Sequence, residues 1–179
     1  MLQCKRFGWS TLERGTLKME EAADFRLIGT SSVCAGISEE EMKTLTTKMG
    51  VRHLRDGELL VNEGDADQTL YILSDGKLGV ISRGTDGREN LVYTMIQGEC
   101  AGTRAFVDKT PRKATLRAIG DATVYTLTPE AFDTVVSEQP LLAYKVMRAL
   151  FRVTHTNLMR MNQETQALSN YIHKTHGRY

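Results

Sequence analysis

The residues best equipped for chemistry lie in one stretch, 98–118, which reads Gly-Glu-Cys-Ala-Gly-Thr-Arg-Ala-Phe-Val-Asp-Lys-Thr-Pro-Arg-Lys-Ala-Thr-Leu-Arg-Ala. Gly102 lets a backbone approach a ligand closely. The N–H groups of Thr103, Arg104 and Ala105 would then form the open amide end of a helical turn, which attracts anions. Arg112, followed by Lys113 and Ala114, can add a two-pronged charged contact to the same group. The chemistry implied is capture of a phosphate. The same residues also suit an ordinary loop with solvated cations, and one glycine with one arginine does not decide between them.

Elsewhere the reactive residues are scattered. Cys4, Cys34 and Cys100 are odd in number and share no CxxC spacing, so free thiols in a reducing compartment are expected. His53, His155, His173 and His176 form no cluster with metal-ligand spacing. No Ser/His/Asp or Cys/His arrangement can be argued, so neither an enzyme nor a metal or cofactor is expected. A formal net charge of +1 gives no basic excess for nucleic acid. No apolar run approaches the roughly 20 residues of a membrane span, and the N-terminus lacks a signal-peptide core. A soluble, cytoplasmic chain is the expectation.

Three kinds of element must position the 98–118 segment. Residues 1–30 read as a leader, with a short helix-like run at Leu17–Asp24. Ser38 and Glu41 then form a capping box, with Ile37 and Met42 as its hydrophobic staple. From 51 to 127, short β-branched and aromatic runs alternate with turn dipeptides: Asp56-Gly57, Gly64-Asp65, Asp75-Gly76, Asp86-Gly87 and Gly120-Asp121. The cadence predicts an antiparallel barrel or jelly roll. In the 98–118 segment it is interrupted by a short helical turn, a loop, and a strand starting near Arg112.

Thr128 and Pro129 then suit an N-cap and first turn. Pro140 interrupts that helix, and Leu141 to about His173 runs without Gly or Pro. Val146, Leu150, Val153, Met161, Leu168 and Tyr171 form an apolar stripe there, broken by Asn157 and Glu164. Such a helix outreaches a small barrel, so a homodimer through it is expected, with a helix laid over its own domain as the alternative.

From about Cys34 to Glu138 the chain resembles the cyclic-nucleotide-binding domain shared by protein kinase A regulatory subunits, cyclic-nucleotide-gated channels and the catabolite activator (CRP/FNR) family. The resemblance rests on Gly36-Ile-Ser-Glu-Glu-Glu-Met, Asp56-Gly57-Glu58, Glu63-Gly64-Asp65, Leu70-Tyr-Ile-Leu-Ser-Asp-Gly76, Gly87-Arg-Glu and Pro111-Arg-Lys-Ala-Thr-Leu-Arg-Ala. It implies a mainly β fold: a double-stranded β-helix, or jelly-roll-like β-roll, flanked by helices and ending in a long C-terminal helix. The expected divisions are 1–30 as leader, 31–138 as β-roll, and 139–175 as long, dimerising helix.

The family's phosphate-binding cassette reads Phe-Gly-Glu-Leu-Ala, then Pro-Arg-x-Ala-Thr. Its arginine pairs with the cyclic phosphate and its glutamate accepts the ribose 2′-hydroxyl. Gly102, Ala105, Pro111, Arg112, Ala114 and Thr115 match, whereas Thr103 replaces the glutamate and Ala101 the aromatic residue. Charge-assisted bonds are worth roughly twice neutral ones, and losing one costs about 1.5–3 kcal/mol, roughly tenfold or more in affinity. Arg104 adds a cation where the family has an apolar residue.

The resemblance therefore implies a ligand site at Gly102, Thr103, Arg104, Ala105, Arg112, Lys113 and Ala114, for cAMP, cGMP or another nucleotide such as a dinucleotide messenger. Thr154 and Asn157, with Thr156, are candidate base contacts from the long helix, or simply its solvated face. The implied role is a non-catalytic sensor signalling through helix movement to a separate effector. A degenerate cassette serving only as a dimerisation module is the alternative. A CRP-type transcription regulator is disfavoured, because only Lys174-Thr-His-Gly-Arg-Tyr follows the helix, too little for a DNA-reading motif.

Overall fold

The computed structural model of the chain describes residues 23–29 and 31–176. Most of the expected leader, the helix-like run before Ala23, and Cys4 lie outside the described residues. The helices are α1 (Phe25–Ile28), α2 (Glu39–Thr46), α3 (Thr103–Asp108), α4 (Pro129–Glu138) and α5 (Pro140–His176), with a 3-10 turn at Ser32–Cys34. The strands are β1 (Gly50–Leu54), β2 (Leu59–Val61), β3 (Leu70–Asp75), β4 (Leu78–Arg83), β5 (Glu89–Met95), β6 (Cys100–Ala101), β7 (Thr115–Ala118) and β8 (Ala122–Leu127).

The strands form two four-stranded antiparallel sheets, ordered β1-β8-β3-β6 and β2-β7-β4-β5. Period-two alternation explains how the first sheet builds two cores at once. Tyr71 and Leu73 on β3, with Val124 on β8, point between the sheets, where Leu54, Leu78, Met95 and Leu116 join them. Leu70, Ile72, Tyr125 and Leu127 point the other way, into a cluster capped by the helices. Strand β3 is accordingly buried along all but its last residue.

The helices cover that outer face. Ser38 Oγ accepts from the Glu41 amide while the Glu41 carboxylate accepts from the Ser38 amide, so the capping box sets where α2 begins. Ile37 belongs to the helix-side core and Met42 packs against it. Thr128 caps α4 at Ala131 N with Pro129 at its first turn, and the chain breaks at Gln139 before Pro140. The first turns of α5 bury Leu142, Ala143, Val146 and Leu150. Burying a side chain of this size fully is worth about 1.5–3 kcal/mol, which fixes the root of the long helix on the roll.

Packing extends further toward the N-terminus than the expected boundary at 31. Ile28 is fully buried, Ala23 joins the core, and the Asp24 amide donates to Tyr125 Oη at 3.0 Å. Two strands, β1 and β6, were not foreseen individually. The strand expected near Arg112 starts instead at Thr115, because Pro111 has no N–H and Arg112 is turned inward to other partners.

Candidate functional site

The segment 98–118 enters as β6, reverses at Gly102 and continues as α3. Gly102 sits at φ +86°, a left-handed conformation that glycine adopts without a Cβ clash, and serves as N-cap of α3. Phe106 N donates to the Gly102 carbonyl at 2.9 Å, which closes the first turn. The apolar side of α3 holds the turn in place: Ala105 and Phe106 are buried, and Phe106 meets Phe132 of α4 edge to face at 5.4 Å. After α3, Lys109 is left-handed at φ +55°, and the chain returns through Pro111 to Arg112.

Among the described residues Arg112 is the one charged side chain that is buried, only 5 % exposed. Its Nη2 and Nε donate to Asp67 Oδ2 at 2.6 and 3.2 Å, and Nη2 also donates to the Thr69 carbonyl. The guanidinium lies over the Tyr71 ring, 4.7 Å from its centroid. Nη1 has no acceptor among the described residues and abuts Gly102, where a Cβ would come within 1.9 Å of it. The buried charge is thus paired on one edge and open on the other.

Asp67 is equally occupied. Tyr71 Oη donates to its Oδ2 at 2.6 Å, and the Thr69 hydroxyl and amide donate to Oδ1 at 2.7 and 3.1 Å. Burial opposes its charge, but hydrogen bonds from Tyr71, Thr69 and Arg112 outweigh that and hold the carboxyl at about 2. Tyr71 is pushed up to about 12, by burial first and by the Asp67 acceptor second. Cys100 and Cys34 are each raised to about 12 by burial, so both thiols stay protonated and weakly nucleophilic near neutrality.

Above Gly102 and Arg112 lies a cavity of about 800 Å³ between the roll and α5. Its wall includes every cassette residue singled out from sequence: Gly102, Thr103, Arg104, Ala105, Arg112, Lys113 and Ala114. The helix contributes Arg152, Val153, Thr156, Asn157 and Arg160. Asn157 therefore faces the cavity, and its break in the apolar stripe has a structural reason. Thr154 does not line it. Helical geometry turns Thr154 away from the face shared by residues 153, 156 and 160, and its hydroxyl donates to the Leu150 carbonyl at 2.9 Å.

Several wall residues carried no signal in the sequence. Tyr93 Oη donates to Glu99 Oε1 at 2.7 Å, while Glu99 Oε2 accepts from the Ile96 amide at 3.0 Å. Arg160 stacks over Tyr93, 4.8 Å from the ring centroid, and joins α5 to β5 across the cavity. Among the described residues, no group of three or more metal-ligating side chains comes together, and no helix is long and apolar enough to cross a membrane.

Comparison with known proteins places this geometry. Residues 51–139 match the family model described as cyclic nucleotide-binding domain. A CRP-like cAMP-activated global transcriptional regulator of Mycobacterium tuberculosis is 24% identical over 135 residues, covering 74% of this chain and 60% of the relative. Lysophospholipase nte1 of Aspergillus terreus is 29% identical over 94 residues, 52% of this chain but 6% of that protein. The chain thus spans less than two thirds of either relative. The crystal structure of a cyclic nucleotide-binding domain from Methylobacillus flagellatus superposes with a TM-score of 0.71 at 19% identity, covering 78% of this chain and 79% of that one. With the two-sheet roll, the glycine turn and the inward arginine in hand, the chain belongs, through residues 51–139, to the cyclic nucleotide-binding domain family.

Proposed function

We propose that this chain is a non-catalytic nucleotide sensor, which binds cAMP, cGMP or a related nucleotide messenger between the cassette and α5. The observation that carries the reading is Arg112. A buried guanidinium is unfavourable unless paired, and this one keeps Nη1 unbonded beside Gly102 at the edge of a ligand-sized cavity. A phosphate bound there would take Nη1 and compete with Asp67 for Nη2. Arg152, Val153, Thr156, Asn157 and Arg160 line the same space, so a bound ligand would bias the position of α5. A ligand shifts such an equilibrium only by its differential affinity for the two positions.

The output surface in this reading is the far side of α5. Met147, Phe151, Leu158, Met161 and Leu168 are exposed and recur at heptad a and d positions, with Thr154 and Thr165 between them. This seam lies opposite the cavity face, and a second copy of the chain is the partner it suits. An effector protein would read the resulting change in the pair.

Calorimetric titration with cAMP and cGMP tests the sensor reading. Binding is expected, and Arg112→Lys, which keeps the charge but loses the fork, should weaken it by about tenfold or more. No heat with either nucleotide or with cyclic dinucleotides at millimolar levels, or equal binding by Arg112→Lys, would overturn it. A second reading, a dimerisation module that binds no nucleotide, is favoured by one observation: Asp67, Thr69 and Tyr71 already satisfy most of Arg112.

A further inference from the structure

The cavity wall carries more positive charge than one phosphate needs. Arg104, Arg112, Lys113, Arg152 and Arg160 line it, against a single carboxylate, Glu99. Asp67 already neutralises Arg112 from behind. Glu99 has both oxygens engaged by Tyr93 and Ile96. Arg104 meets Asp108 only at 3.9 Å, with both side chains more than half exposed, a pair of little strength. Lys113 and Arg152 have no ion-pair partner among the described residues.

These cations fall into two groups on opposite walls. Arg104, Arg112 and Lys113 belong to the cassette around Gly102, whereas Arg152 and Arg160 project from α5. Two helical turns separate the α5 pair, roughly 12 Å along the axis, and Arg160 is held in place by its stack on Tyr93. A cyclic mononucleotide brings one negative charge, which the cassette group would use. The α5 pair, exposed on the cavity wall and with Glu99 and Glu164 near Arg160 alone, would then meet no ligand charge. A second phosphate against α5 would use that pair. Thr103 matters here too: a carboxylate at that position would repel added negative charge, and a hydroxyl does not. A volume of about 800 Å³ also lies in the upper part of the ordinary range for small-molecule sites.

We infer that the site takes a nucleotide with two separated phosphate groups, of the cyclic-dinucleotide class, with Arg112 on one phosphate and Arg152 and Arg160 on the other. This rests on the nucleotide-sensing reading above and narrows it. The test is calorimetric titration of the full chain with cyclic di-GMP, cyclic di-AMP, cAMP, cGMP and ADP at one ionic strength, beside the Arg152→Gln/Arg160→Gln double variant.

At least one cyclic dinucleotide should bind about tenfold or more tightly than either mononucleotide, and the double variant should weaken the dinucleotide more than either mononucleotide, so that this advantage shrinks. Thermal unfolding of the double variant, expected to match the parent because both arginines are exposed, verifies that it folds. If cAMP or cGMP binds as tightly as the dinucleotides, or the double variant weakens all ligands alike, this inference falls and the sensor reading stands. Tightest binding by ADP, whose phosphates are adjacent, likewise overturns the two-wall arrangement. Silence from all five ligands removes both readings.

Discussion

A methyl group on Gly102 would stand 1.9 Å from Arg112 Nη1 and 2.9 Å from the Thr69 carbonyl, on a backbone at φ +86°. Either the guanidinium leaves Asp67 or the start of α3 moves, and the left-handed backbone is strained in both cases. Gly102→Ala should therefore cost about 1–3 kcal/mol in urea unfolding and abolish nucleotide binding; a parental midpoint with parental affinity would mean that the cassette has slack the geometry denies. Gly102 and Arg112 were legible in the sequence because the cassette is contiguous and its Pro111-Arg-Lys-Ala-Thr run resembles the family's; their residue types alone left an ordinary loop equally open. Asp67 was not legible. It lies 45 positions from its partner and reads as one more acidic residue in a loop. Thr154, a base contact or a solvated position by sequence, takes the solvated alternative for a related reason: side-chain type is visible in a sequence, but which face of a helix meets a cavity is set by the packing of that helix's root.

At the scale of elements, the turn dipeptides located most strands, and capping chemistry located α2 and α4. Strands β1 and β6 escaped for opposite reasons. β6 has two residues, Cys100 and Ala101, too few for any alternation. β1 has only its last residue, Leu54, buried, so no buried face repeats along it. The long helix was foreseen, but its apolar stripe through Val146, Leu150 and Val153 mixes two purposes. Val146 and Leu150 belong to the core and Val153 to the cavity wall, while the exposed seam of Met147, Phe151, Leu158, Met161 and Leu168 sits one position away on the wheel. If that seam pairs two copies, Leu158→Glu places like charges in the middle of the interface. Light scattering should then show two chains per particle for the parent and one for the variant. Far-UV helicity of the folded core should be unchanged, because Leu158 touches neither core cluster. A parent that runs as a single chain would remove the seam as an output surface.

Across the whole molecule, two carboxylates, each far in sequence from its partner, tie α2 to α5 and the cassette arginine to the segment before β3. Glu41 accepts from Lys145 Nζ at 2.7 Å with both oxygens, across 104 positions, while also closing the capping box of α2. It is held below the ordinary glutamate range by the Lys145 hydrogen bond first and the Ser38 amide second. Asp67 is held at about 2 by the hydrogen bonds that overcome its burial, and it is the counter-charge of buried Arg112. A carboxyl whose folded value lies below its unfolded value binds fewer protons in the native state. Its contribution is therefore fully present above the unfolded value, near 4 for aspartate, and is lost as pH falls toward the folded one. The melting temperature should accordingly hold from neutrality to about pH 5 and drop progressively between about pH 4 and 2. Asp67→Asn, which cannot titrate, should melt lower than the parent at neutral pH and show a shallower acid slope. The two curves converge as the parental carboxyl takes up its proton. Curves that stay parallel down to pH 2 would mean that the Asp67–Arg112 pair does not couple protonation to folding, and that the arginine is held in place by Tyr71 and the Thr69 carbonyl instead.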